Sequence, residues 1–426
     1  MSNFNYKKRI ADDLLDLQLE SAGAVLVEGP KWCGKTTTAE QKAGSVLYLD
    51  DPENIEQNLM LAETRPKAIL EGKTPRLIDE WELAPKLWDT ARFEVDHRHE
   101  MGQFIFTGSA VPADINKIIH TGTGRFSWLL MRPMSLWESE ESTGEVSLRS
   151  LFEGDNDIFG QNDRKLEDIA YLICRGGWPG SINLKKMPSL TIATNYFEAV
   201  VRRDISRVDG VSRDEQRARR LMRSYARNQG SQAPFNTIAD DISTNEIEKL
   251  SSASVADYVE ALKKIFVIED MKAWNPNLRS KTAIRSSDTR YFVDPSIAAA
   301  ALELGPDSLI NDLKTMGLLF ETMAVRDIRV YADALSGNVY HYRDKNNLEC
   351  DAVVSLRGGR YALIEIKLGG ERLIEEGVKT LKQLESKIDT DKMNKPSFLM
   401  VLTATGQYAF RRPDGVFVVP IGCLKD

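Results

Sequence analysis

Residues 28–38 read EGPKWCGKTTT: a glycine, four residues, then Gly34-Lys35-Thr36, directly after the apolar run AVLV at 24–27. Glycines let successive backbone N–H groups turn toward one point, a lysine reaches the outer oxygens of a polyphosphate, and the next hydroxyl can face Mg²⁺. The spacing predicts that Gly29, Pro30, Lys31, Trp32, Cys33, Gly34, Lys35, Thr36 and Thr37 cradle the phosphates of ATP. Further on, RLIDEW closes a second apolar run with two acids. Alone, that pair reads as solvated carboxylates at a strand end. Downstream of a phosphate loop, Asp79 is expected to hold Mg²⁺ with Thr36, and Glu80 to orient the attacking water. FIFTGS sets Thr107 and Ser109 at the end of another strand, where a hydroxyl can meet the γ-phosphate or the water. TGTGRFSW carries Arg125 on a Gly-flanked loop. Either it completes the transition-state charge in a neighbouring subunit, which implies a homo-oligomer, or it is a structural surface residue. Cys33 lies inside the loop, which would make the site a target for thiol reagents.

A second concentration of charge lies in DAVVSLRGGRYALIEIK, residues 351–367. Two apolar strands joined through Gly358-Gly359 carry Asp351, Glu365 and Lys367. Charges within a sheet are costly unless paired, solvated or holding a metal. The bland alternative is a sheet edge facing water. Lys367 shares a face with Glu365, because strand side chains alternate. Asp351 is the test. A two-residue turn would set it opposite Ile366, pointing away from Glu365, whereas a turn of odd length or a bulge would bring the carboxylates to one face. There Asp351 and Glu365 would bind Mg²⁺ or Mn²⁺, hard ions that prefer carboxylate oxygens.

The elements that must position these groups are spread over 426 residues, enough for two to four domains. A net charge of −7 argues against a protein that coats nucleic acid everywhere, though the stretch from Arg202 to Arg227 is rich in arginine. No apolar run reaches membrane-spanning length, and MSNFNYKKRIADDLL turns acidic without an export signal, so a cytoplasmic protein with no membrane partner is expected. Four scattered cysteines form no zinc or disulfide pattern, and four histidines leave carboxylates, lysine and arginine to carry any catalysis. Residues 1–137 alternate β-like runs (24–27, 46–49, 76–78, 104–106, 128–131) with helical stretches, the pattern of a P-loop NTPase parallel sheet with helices on both faces. An acidic insertion or linker and a helical lid follow over 138–214. Residues 215–300 run helix, helix, helix, strand, a winged-helix-like order that can serve DNA or merely connect domains. Residues 301–426 run helix, three strands, helix, two strands.

Together GPKWCGKTTT, LIDEW, FIFTGS, GRFSWLLMRPMSLWE, RGGWPGS, YFEAVVRRDI, YFVDPSI, GLLFETMAV, YHYRDKNNLECDAVV and LIEIK resemble, over nearly the whole chain, prokaryotic AAA-type ATPases with a C-terminal restriction-endonuclease-like domain. The resemblance implies a small α/β domain of PD-(D/E)XK type over 301–426, with Glu321 on its first helix, Asp351 and Glu365-Ile366-Lys367 on its strands and Gln383 on the following helix. Glu321, Asp351, Glu365 and Lys367 would then be catalytic in a metal-dependent nuclease acting on DNA or RNA. The proline usual before the first acid is absent here. The expected function is therefore ATP hydrolysis coupled to a nucleic-acid-binding or nuclease module. The alternative is an ATP-dependent switch that binds a protein partner through an inactive nuclease fold.

Overall fold

The computed structural model describes residues 6–110, 120–243, 251–275 and 287–426. It divides into two compact units. The first comprises Met1–Pro133, Val200–Asp214 and Glu260–Val267, and the second Met134–Ala199, Glu215–Val259 and Ile268–Asp426.

In the first unit, five strands form a sheet: β1 (Ala24–Glu28), β2 (Ser45–Tyr48), β3 (Arg76–Asp79), β4 (Phe104–Gly108) and β5 (Phe126–Leu130). All are parallel, in the order β2-β3-β4-β1-β5. Period-two alternation divides their side chains between two cores. Ala24, Leu26, Ile78, Phe104 and Phe106 pack with Trp81, Leu87 and Trp88 on one face. Val25, Val27, Leu77 and Ile105 pack with Leu15 and Ala39 on the other. Burial on both faces is why the inner strands β1, β3 and β4 read as continuous apolar runs, while the edge strands leave Val46, Tyr48 and Trp128 exposed; helices cover both sides. Because every strand runs the same way, the phosphate loop after β1, the acids after β3 and the hydroxyls at the end of β4 emerge at one edge.

The second unit is built on a mixed sheet. Its strands are β6 (Val146–Ser147), β7 (Gly160–Gln161), β8 (Asn338–Arg343), β9 (Glu349–Ser355), β10 (Tyr361–Lys367), β11 (Leu399–Thr403), β12 (Tyr408–Arg411), β13 (Phe417–Pro420) and β14 (Leu424–Lys425). Seven run in the order β7-β12-β13-β11-β10-β9-β8, and β14 pairs with β6. Helix Glu371–Lys387 covers one face, burying Val378, Leu381 and Leu384 against Val353, Leu363 and Val401. Helix Leu313–Ala334 packs on β8, β9 and β10. The acidic stretch, read as an exposed insertion or linker with one short helix, holds that helix at Leu148–Glu153 and also contributes β6 and β7. Two-residue strands are too short to show a period, and only their partners β14 and β12 define them.

Helices Glu215–Arg227, Phe235–Ser243 and Ser252–Lys264 follow in the expected order, and antiparallel bridges join Ile268 to Phe292 and Met271 to Thr289. Residues 276–286, between these bridges, lie outside the described residues. Three of the quoted motifs meet in a buried ionic network. Arg326 Nη1 lies 2.8 Å from Asp294 Oδ2 and its Nη2 2.7 Å from Asp327 Oδ1. Gly177 N donates to Asp294 at 3.0 Å, and Leu136 N to Asp327 at 3.0 Å. Gly176 has φ +72°, and a Cβ there would lie 2.5 Å from Asp294 Oδ1, so only glycine fits that turn. Among the described residues, no helix is long and apolar enough to cross a membrane.

Candidate functional site

The phosphate loop joins β1 to helix Lys35–Glu40. Gly34, at φ +103°, precedes that helix, and a Cβ on Gly29 would stand 2.1 Å from the Met131 carbonyl. Both positions therefore require glycine. The Lys35 side chain is folded into the loop, 6 % exposed, with Nζ donating to the Pro30 carbonyl at 2.9 Å. Lys31 turns outward to an ion pair with Asp204 at 2.8 Å, and Trp32 is 59 % exposed at φ +65°. Cys33 is fully buried and its Sγ donates to Met131 O at 3.3 Å. That burial removes the expected access for thiol reagents.

Asp79 ends β3 with two hydroxyls on one carboxylate oxygen. Thr36 Oγ1 donates to Oδ1 at 2.7 Å, and Thr107 Oγ1 donates to the same atom. Burial raises the Asp79 carboxyl, while these two bonds work to lower it. Glu80 follows at φ +54°, a left-handed conformation that is strained for a side chain of this size. Its Oε2 accepts from Ser109 Oγ at 3.2 Å. Burial, and then the charge of Glu82, push the Glu80 carboxyl up to about 7. Glu82 also accepts from the Ser109 N–H at 2.9 Å. Its part was not anticipated; the only signal was a third acid at i+2 in DEWE.

Arg125 lies elsewhere. In β5, Phe126 pairs with Ala24, the first residue of β1, whereas the phosphate loop follows the last. At about 3.3 Å per residue, the strand places Arg125 about 20 Å from the loop, at the opposite edge of the sheet. Its Nε pairs with Asp96 Oδ1 at 2.7 Å. Within the arginine-rich stretch, Arg213 pairs with Asp209, Arg219 with Glu198 and Arg227 with Asp241, all within 2.7 Å. Much of that basic charge is neutralised locally.

In the second unit, Leu356 N bonds to Arg360 O, so the loop between β9 and β10 holds three residues, Arg357, Gly358 and Gly359. The paired register ends at Leu363↔Val353 and Ile364↔Ala352, and its next step sets Glu365 across from Asp351. Three residues supply the odd turn, with both glycines at positive φ, and the carboxylates share a face. Lys367 Nζ lies 2.6 Å from Glu365 Oε2 and 3.2 Å from Asp351 Oδ2, and Ile366 N also donates to Asp351. Glu321 accepts from the Tyr291 hydroxyl, and a Cβ on Gly230 would meet its carboxylate at 2.8 Å. Burial, then the Asp351 charge, push both Glu321 and Glu365 up to about 8. Burial works to lower Lys367, but Asp351 and Glu365 outweigh it and hold the ammonium well above its ordinary range. Glu365 Oε1 and Thr403 Oγ1 are buried without hydrogen-bond partners, and Thr403 pairs with Lys367 across the sheet. These oxygens suit a hard divalent ion. As placed, however, the lysine bridges the carboxylates, and among the described residues no three His, Cys, Asp or Glu side chains are disposed to enclose a metal.

Three family models match the chain. An AAA domain covers residues 21–140, and two domains of unknown function cover 166–308 (DUF8612) and 316–424 (DUF4143). No curated protein matches. Among solved structures, a Walker-type ATPase of Pyrococcus abyssi is 13 % identical, with 70 % of this chain and 99 % of that chain aligned at a TM-score of 0.40. The Hef helicase domain of Pyrococcus furiosus is 12 % identical, covering 94 % of this chain and 86 % of that chain at a TM-score of 0.21. At these scores neither likeness carries an argument. The family match and the loop geometry agree on one part of the chain: residues 21–140 form an AAA-type P-loop domain.

Proposed function

We propose that the AAA-type domain binds MgATP and hydrolyses it. The observation that supports this most is the convergence of the Thr36 and Thr107 hydroxyls on Asp79, beside a lysine folded into the phosphate loop. Thr36 and Asp79 would hold Mg²⁺, which would offset the negative charge of the triphosphate. The loop N–H groups orient the triphosphate, and Lys35 offsets its charge in the ground state. Glu80 takes a proton from the attacking water as the bond from the γ-phosphorus to its bridging oxygen breaks. Ser109 holds Glu80 in place for this, and Arg125 acts on a neighbouring subunit in a homo-oligomer. Purified Lys35→Ala protein should fail to bind ATP, whereas Glu80→Gln should bind it and turn it over far more slowly. Normal hydrolysis by Glu80→Gln would remove Glu80 from this role.

A second reading concerns the C-terminal residues. The three-residue loop that sets Asp351 opposite Glu365, together with the unpartnered Glu365 Oε1, favours a Mg²⁺- or Mn²⁺-dependent nuclease module on DNA or RNA. Asp351 and Glu365 would hold the ion, and Lys367 would stand beside the phosphodiester. The bridging lysine favours the alternative, an ATP-dependent switch for a protein partner in which the carboxylates are held neutralised. A panel of single- and double-stranded DNA and RNA, incubated with ATP and either metal, separates them. Metal-dependent cleavage supports the nuclease, and its absence with intact ATP hydrolysis supports the switch.

A further inference from the structure

Arg9 is 4 % exposed, an uncommon place for a guanidinium. Its Nη1 donates to the Cys33 carbonyl at 2.8 Å and its Nη2 to the Arg132 carbonyl at 2.9 Å. The residue is itself fixed. Its backbone N–H donates to Asp12 Oδ2 at 2.7 Å, the Tyr6 hydroxyl donates to the same oxygen at 2.8 Å, and Tyr6 also meets Thr38 Oγ1 at 2.9 Å. These contacts tie the start of helix Ile10–Ser21 to the phosphate loop and to the helix that follows it.

We infer that Arg9 is a positioning residue of the phosphate loop, holding the Cys33–Gly34 peptide so that the Gly34 N–H faces the triphosphate. A trans peptide unit is planar, and its C=O and N–H point in opposite directions. Drawing the Cys33 carbonyl toward Arg9 turns the Gly34 N–H the other way. Gly34 needs such a restraint, because glycine at φ +103° has no side chain to define its peptide planes. A flipped peptide would present a carbonyl oxygen to the phosphates, where a donor is required. Arg9 does not contact phosphate itself, since its guanidinium is buried on backbone carbonyls. The inference rests on the proposed ATP binding and adds a residue that no motif contains.

The test uses the full chain, with Arg9→Ala, Arg9→Lys and Lys35→Ala compared for equilibrium binding of a fluorescent ATP analogue, steady-state ATP hydrolysis and thermal melting. Arg9→Ala should weaken ATP binding and raise KM at least about tenfold, with kcat within about threefold of the parent. Added guanidinium ion should restore part of the affinity. Arg9→Lys, which keeps the charge but cannot fork to two carbonyls, should lose about threefold or more without a change in melting temperature. Should Arg9→Ala fail to fold, Arg9→Lys decides. Affinity within about twofold of the parent in the folded variant overturns the role of Arg9. Absence of ATP binding by the parent sinks the ATP reading and this one with it. Binding by the parent that is lost in Lys35→Ala but intact in Arg9→Ala overturns only this one.

Discussion

Glu82→Gln isolates one charge beside the proposed catalytic base. Glutamine keeps an oxygen to accept the Ser109 N–H, now 2.9 Å from Glu82 Oε1, so the loop geometry is retained. What disappears is the negative charge that, after burial, does most to push Glu80 up to about 7. With its midpoint there, about one-tenth of Glu80 is ionised at pH 6 and about nine-tenths at pH 8 in the free protein, so kcat/KM should rise about tenfold across that range. Removing the neighbouring charge lowers the midpoint, since less opposes ionisation. More base is then available at pH 6, and the span should contract to below about threefold. The assay is kcat/KM for MgATP from pH 5.5 to 8.5, with Glu80→Gln as the control that must lack this acidic limb. A limb in Glu82→Gln that coincides with the parent's would refute the electrostatic account. So would a flat parent profile.

The other predictions concern both units. Mixing Arg125→Ala with Lys35→Ala protein should restore some hydrolysis, because Arg125 sits too far from its own loop; no recovery in a demonstrated mixed oligomer counts against action between subunits. Glu321→Gln should raise the melting temperature at pH 8 and lose that advantage toward pH 5. The Glu321 carboxyl, ordinarily near 4.5, is pushed up to about 8, so the folded state favours its neutral form and stability falls as pH rises through that interval. Asp351→Ala should abolish Mn²⁺-dependent nucleic-acid cleavage while leaving ATP hydrolysis unchanged; loss of both would point to unfolding or to a shared role. Nucleic-acid binding by the arginine-rich helices should weaken steeply as salt rises. Its absence at low salt, with and without ATP, would favour the protein-partner switch.

What could be read from the sequence depended on how local each feature is. The phosphate loop is eleven consecutive residues whose glycines, lysine and threonine all serve one ligand, so its spacing alone identifies it. The apolar runs of the inner strands were equally readable, because strands buried on both faces leave continuous hydrophobic segments. Asp351 was half-readable: Gly358-Gly359 announced a turn, but the third loop residue, Arg357, that sets the register carries no signature. Arg9 and Tyr291 were hidden, since each acts through tertiary contacts with residues tens of positions or more away. Cys33 misled because its place in a motif says nothing of its burial.

The pairing of β6 with β14 and of β7 with β12 bears on how the chain acquires its structure. Ser142 Oγ donates to the Leu424 carbonyl at 2.7 Å across 282 residues of sequence. At about 5–20 residues per second, a ribosome needs roughly 14 to 56 s to deliver the partner of a segment already made. Until then the early strands have no edge to join, and closing so long a loop costs chain entropy, which slows the search. The second unit therefore completes late in synthesis, whereas the phosphate-loop sheet, with all five strands before residue 131, can assemble while the rest is still being translated.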